Sequence, residues 1–258
     1  MRFDLFFEYF RIYIQTRMMY RIDFWVEIVT DMMFQMVNLA VIVVAYKLTP
    51  TILGWSQAEL FFVYGFFMVP YSFFTTFFNL WNFADRYIVK GEFDRVLTRP
   101  MNSIVQLSFE NLDPSSLAGA VTGVVIMYFS AQTIGIQWQL LDLVAFFVSV
   151  VGGILIYAGI YLFMISLSFF TDAQTGIMPL IWNIQNYGKF PMDIYNKMIR
   201  VLLTWVVPFA FVGVYPAAFF LRRDGLSLWL TPVIGLIILS IALVIWRFGE
   251  RSYRGAGS

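Results

Sequence analysis

Lys90-Gly91-Glu92-Phe93-Asp94-Arg95-Val96-Leu97-Thr98-Arg99-Pro100-Met101-Asn102 is a short charged stretch set between long apolar, strongly aromatic runs. A polar elbow between such runs is a candidate place for a soluble partner to take hold of a membrane protein. The chain around it is 60% hydrophobic and 13% charged, against about 25% charged in soluble domains. Several apolar runs approach the roughly 20 residues that a membrane-crossing helix needs. They do not alternate polar and apolar as barrel strands do. Backbone groups in lipid must be satisfied within each segment, so the expected fold is an all-α integral membrane bundle.

Composition removes several chemistries. The formal net charge is +1, which gives no reason to expect a nucleic-acid partner. There is no cysteine and no histidine, so zinc, haem and thiol sites lack their usual ligands. A Ser-His-Asp or Cys-His triad is impossible. No Gly-x-x-x-x-Gly-Lys-Ser/Thr sequence occurs, so no P-loop is expected to hold nucleotide here.

Outward from the elbow, which fills 81–109, the chain divides as follows. Residues 1–22 read as an amphipathic interfacial helix. Phe3, Phe6, Phe7, Phe10, Ile14 and Met18 share one face, and Asp4, Glu8, Arg11 and Gln15 share another. Spans are expected at 23–46, 58–80, 110–131, 141–169 and 227–247, with Asp113-Pro114-Ser115 as a start signal for the third. Between 170 and 226 two segments compete. If both crossed the membrane, Arg247, Arg251 and Arg254 would lie on the side opposite the N-terminus, against the positive-inside rule. Six crossings are therefore expected. Charge counting favours 199–221 as the fifth, because it keeps Lys189, Lys197 and Arg200 inside. Pro208 and Pro216 argue against it, since broken helices at membrane depth often re-enter.

The elbow from Gly91 to Asn102 resembles the Gly-x-x-Asp-x-x-Leu-x-Arg-Pro-x-Asn pattern of ABC-2-type exporter permeases. It is most similar to the branch of small permeases that includes viologen- and drug-export subunits. Lys189-Phe190-Pro191-Met192-Asp193-Ile194-Tyr195 is like that branch's aromatic-Pro-x-x-Ile-Tyr element, and Val207-Pro208-Phe209-Ala210-Phe211-Val212 fits as well. The ending Tyr253-Arg254-Gly255-Ala256-Gly257-Ser258 is similar too, with Arg-Gly where Ser-Ser or Thr-Ser is common. The resemblance implies six spans with both termini cytoplasmic, in the plasma (inner) membrane of a prokaryote. It implies 174–190 as the fifth span and 191–222 as outer re-entrant helices. It also implies a second permease, identical or homologous, and a cytoplasmic ATPase dimer. ATP and Mg would sit on that partner, with no cofactor on this chain. Lipid-linked glycan export and a non-transport scaffold are the competing readings.

The elbow carries the candidate coupling residues Gly91, Phe93, Asp94, Arg95, Leu97, Arg99 and Pro100. Gly91 allows a tight turn, and Arg99-Pro100 discourages helix at Arg99. Asp94 and Arg95 are suited to pair with a partner, and Phe93, Val96 and Leu97 to fill a groove. Arg86, Lys90, Arg95 and Arg99 would equally satisfy an ordinary positive-inside loop. In the first span Glu27, Asp31, Gln35 and Asn38 fall on one helical face. Charge in lipid is costly, so this face should turn inward, either to attract a cationic amphiphile or simply to bond neighbouring helices. Asn183 and Asn186 are further path candidates. Pro208, Phe211 and Pro216 are candidates for an outer gate. The aromatic run from Phe61 to Phe83 reads either as stacking surface or as packing and lipid contact.

Overall fold

The apolar runs satisfy their backbone groups as helices. The computed structural model describes residues 11, 15, 21–49, 51–171, 177–221 and 227–253, and among these no strand forms. The longer elements are α1 (Arg21–Leu48), α2 (Gln57–Phe77), α5 (Leu117–Ile134), α6 (Leu140–Ser166) and α10 (Ser227–Ser252). The shorter ones are α3 (Phe93–Leu97), α4 (Ser103–Glu110), α7 (Ile177–Tyr187), α8 (Lys197–Val201) and α9 (Val214–Phe220). Among the described residues five helical stretches are long and apolar enough to cross a membrane: Ile22–Leu48, Gln57–Phe77, Pro114–Ile134, Leu140–Phe169 and Leu228–Ser252. The proposed interfacial helix lies outside the described residues except for Arg11 and Gln15, which are helical and exposed.

Local chemistry sets the boundaries. Between α1 and α2 the chain reverses through Leu53 and Gly54, with φ of 51° and 80°, and Tyr46 donates to the Trp55 carbonyl at 2.7 Å. Ser56 and Glu59 then form a reciprocal capping box. Gly135 closes α5 with φ of 82°, a left-handed cap that glycine takes without strain. The third crossing helix starts later than position 110. Ser103–Glu110 is a separate helix capped by Asn102, whose Oδ1 accepts from Ile104 and Val105. The chain turns again at Pro114–Ser116 before entering α5.

Small residues let the backbones meet, as packing inside lipid requires. On α2, a Cβ at Gly65 would stand 2.6 Å from the Gly123 carbonyl, and Gly119 faces the Ser72 hydroxyl. Rising numbers on α2 meet falling numbers on α5, so these two run antiparallel. Gly152 meets Pro232, Gly159 meets Leu239, and Gly249 meets Phe169. Here both numbers rise together, so α6 and α10 run parallel. The chain between them therefore finishes at the end of the bundle opposite to where it began.

That return uses short pieces. α7 has 11 residues, about 16 Å of helix against a hydrocarbon core of about 30 Å. It climbs from Met178, packed beneath the elbow, through Gln185, which accepts from Tyr161 at 2.9 Å. Lys197–Val206 and Phe209–Phe220 follow, bent by 73° around Val207-Pro208. Trp205 and Val206 lie at the level of Ile160, Met164 and Ile241. Phe220 ends near Phe62 and Trp138, toward the far end. Pro208, Phe211 and Pro216 are all buried in this core, and Pro208 also lines an apolar cavity of about 400 Å³ with Trp205, Ile237 and Ile241. The α2 aromatics belong to the same core: Phe62, Phe66, Phe67 and Phe74 are buried and meet Phe146, Tyr157 and Phe220 ring to ring.

Candidate functional site

The elbow is a folded unit, not a loose loop. After α2 the chain forms a π-turn over Ala84–Val89, a positive-φ turn at Gly91 (71°), then α3 and α4. It closes where it opened: Asp113 N donates to the Thr76 carbonyl at 2.9 Å, and Asn79 bonds the Asp113 carboxylate. Phe83, Tyr87, Phe93, Val96 and Leu107 bury their side chains with Ile165, Met178 and Trp246 in a second core. Phe93 meets Phe169 at 5.1 Å and Tyr253 at 5.1 Å. Trp246 donates from Nε1 to Ser103 Oγ at 3.1 Å. The elbow is thus bolted to the ends of α6 and α10.

At its centre sits Glu110, whose side chain is only 2% exposed. Arg95 grips it with both nitrogens, Nη1 to Oε1 at 3.0 Å and Nη2 to Oε2 at 2.7 Å. Arg99 Nη1 donates at 3.2 Å, Gln106 Nε2 at 3.0 Å and Tyr87 Oη at 3.2 Å. Bidentate, charge-assisted bonds of this kind are the strong ones. Burial alone pushes the Glu110 carboxyl upward. The bonds from Gln106 and Arg95, with the Arg95 charge, outweigh it and hold the group below its ordinary value. The bond to Glu110 raises Arg95, and burial pushes the Tyr87 phenol up to about 12.

This placement changes the roles expected along the elbow. Arg95 and Arg99 turn to a carboxylate within the chain, and Phe93 and Val96 turn into its core. The physical reason is that Glu110 offers a dry, pre-formed acceptor one helix away. Asp94, Leu97 and Pro100 remain on the exposed face, with Leu97 47% exposed. Sequence reasoning missed Glu110, Gln106 and Tyr87. A glutamate closing a short apolar stretch, with two arginines upstream, was the signal available.

The polar stripe of α1 faces the bundle. Glu27 accepts from Ser115 Oγ at 2.9 Å, Gln35 accepts from the Tyr64 hydroxyl, and Asn38 accepts from Lys189 Nζ at 2.7 Å. Asp31 lines a cavity of about 240 Å³ with Gln35, Tyr71, Ser72, Asn79 and Asp113. Elsewhere α1 shows apolar side chains outward, among them Trp25, Met33, Met36 and Val37. Asn186 belongs with this group, because its Oδ1 accepts from Lys189 at 3.3 Å. Asn183, one turn before Asn186 on α7, is exposed.

A family model described as ABC-2 family transporter protein matches residues 32–257. No curated protein and no solved structure matches the chain. The match takes in the elbow, its Glu110 clamp, the parallel α6–α10 pair and the bent segment between them, and on it the chain belongs to the ABC-2 family of transporter proteins.

Proposed function

We propose that the chain is the membrane-spanning permease subunit of an ATP-driven exporter, powered by a separate cytoplasmic ATPase and working beside a second permease. Its cargo is hydrophobic or amphipathic, with cationic groups favoured at Asp31. The observation that carries the reading is the elbow. It is rigid, anchored at the α6–α10 ends, and presents Asp94, Leu97 and Pro100 outward. A soluble cleft that grips this face would move the helices to which the elbow is bolted. The parallel run of α6 and α10 supports one net crossing over 170–226, hence six in all with both ends on the elbow side. α7 alone is too short for that crossing, so the reading shares it between α7 and the bent, re-entrant pair that follows and carries the chain on to Phe220. The outward apolar face of α1 suits contact with lipid or with the second permease.

The test is affinity capture of the full chain from its native membrane, beside an Asp94→Ala, Leu97→Ala variant. Both changes lie on the exposed face and leave the Glu110 clamp intact. A P-loop ATPase should accompany the unaltered chain and fall about tenfold or more with the variant, as loss of a contact worth ~1.4 kcal/mol or more requires. Equal recovery would remove the coupling role. Substrate-stimulated ATP hydrolysis by the captured complex separates a transporter from a docking scaffold.

For the cargo, Asp31→Asn should weaken transport of cationic amphiphiles severalfold while ATPase recovery stays constant. Unchanged export would remove the cation preference. The cavity of about 240 Å³ suits a small headgroup. It gives no support to a glycan path, which needs more room.

A further inference from the structure

Lys189 is the one buried lysine among the described residues, 7% exposed. Its Nζ donates to Asn38 Oδ1 at 2.7 Å and Asn186 Oδ1 at 3.3 Å. The Tyr64 and Phe190 rings cover it, each with its centroid 5.6 Å away. Among the described residues it forms no ion pair. Two neutral amide oxygens satisfy two of its three donors and none of its charge. An un-neutralised ammonium at membrane depth is costly, and such groups mark ion and substrate pathways.

Its position adds direction. Asn38 stands seven residues beyond Asp31 on the same face of α1, about 10 Å further from the elbow end. Tyr64 bridges the interval, because it bonds Gln35 and covers Lys189. Along the inward face of α1 therefore lie carboxylate at Asp31, neutral amide at Gln35 and, brought to Asn38 from the turn after α7, ammonium at Lys189. A simple cation would be drawn to the first and repelled at the last.

We propose that Lys189 is an anion-binding point on the transport path, so that the amphiphile whose cationic group is favoured at Asp31 also carries a phosphate or carboxylate. This rests on the chain being a transport permease and narrows its substrate class. The anion replaces the oxygens of Asn38 and Asn186 on Nζ. The exchange frees Asn38, and with it one tie between α1 and the rest of the bundle.

The competing role is a structural latch, and Asn38→Ala separates the two. It breaks the tie but leaves the charge. Binding to the purified full chain in lipid nanodiscs is measured with dodecyl phosphate, dodecyltrimethylammonium and inorganic phosphate. Lys189→Gln should weaken dodecyl phosphate about tenfold or more, as expected for a lost charge-assisted bond, and leave dodecyltrimethylammonium within about twofold. Asn38→Ala and Lys189→Arg should both retain dodecyl phosphate. If Lys189→Gln and Asn38→Ala lose it equally, or if Lys189→Gln changes nothing, the anion site is overturned. Competition by inorganic phosphate would place recognition in the headgroup alone. Retention of dodecyl phosphate without such competition would place it in a membrane amphiphile. ATPase capture is read apart from all these arms, so failure here leaves the permease reading standing.

Discussion

Glu110→Ala is expected to loosen the whole elbow and, on the proposed coupling role, to abolish capture of an ATPase partner. Five bonds from four residues converge on this carboxylate. Removing one member of a fully buried ion pair costs roughly 3–5 kcal/mol. Arg95 is 43% exposed and can rehydrate, so about 2–3 kcal/mol is the expected loss. Hydrogen exchange over 86–102 should accelerate by about thirtyfold or more at neutral pH, and protection elsewhere in α2 and α5 should persist. The same bond set fixes a pH dependence. The folded carboxyl titrates below its ordinary value of 4.5. Its contribution is therefore complete above 4.5 and is lost as pH falls through the lower folded value. The unaltered elbow should loosen only in acid, whereas the alanine variant should be loose throughout. Unchanged exchange over 86–102 in Glu110→Ala would show that the aromatic core alone holds the elbow.

The second large effect is expected at Gly159. A Cβ there would lie 2.7 Å from Leu239 N and 3.0 Å from the Ile238 carbonyl carbon. These are backbone atoms, which cannot swing aside as a side chain can. Gly159→Leu should force α6 and α10 apart at a cost of about 3 kcal/mol or more, the upper range of overpacking. Thermal unfolding in detergent should fall by several degrees, and Trp246 fluorescence should report a changed elbow. Gly135→Ala is the contrasting substitution. No atom stands within 4 Å of its Cβ, but its φ of 82° disfavours a side chain. It should cost only about 1 kcal/mol of local strain. A Gly159→Leu protein as stable as the parent would mean that the seam is not closely packed.

Much of the fold was legible because lipid imposes simple demands. Apolar length alone located the five long helices, and Pro208 announced the bend that follows Val206. The sequence did not reveal the direction of α10 relative to α6. That follows from which glycines meet which backbones, a property of pairs that no single stretch carries. The elbow was legible as an element but not in its internal contacts. The aromatic ends of α6 and α10 draw Phe93 and Val96 inward, while Arg95 and Arg99, still 43% and 33% exposed, turn to a charge at the end of α4. Glu110 lies outside the motif, beyond the reach of a local pattern. The α1 stripe was legible as one face. Its partners Ser115, Tyr64 and Lys189 are distant in sequence and came only with the structure.

The attachment of α1 has a thermodynamic consequence. Its many outward apolar side chains are already in their preferred solvent, so pulling the helix away from its neighbours exposes little that hydrocarbon would reject. What resists removal is a few polar pairings, at Glu27, Gln35 and Asn38, which lipid cannot replace. Opening this seam is therefore an exchange reaction, not an unzipping of greasy contacts. A purely aliphatic molecule has nothing to trade. A molecule bearing donors, acceptors or charge can take up each severed pairing, so polar groups lower the cost of parting α1 from its neighbours.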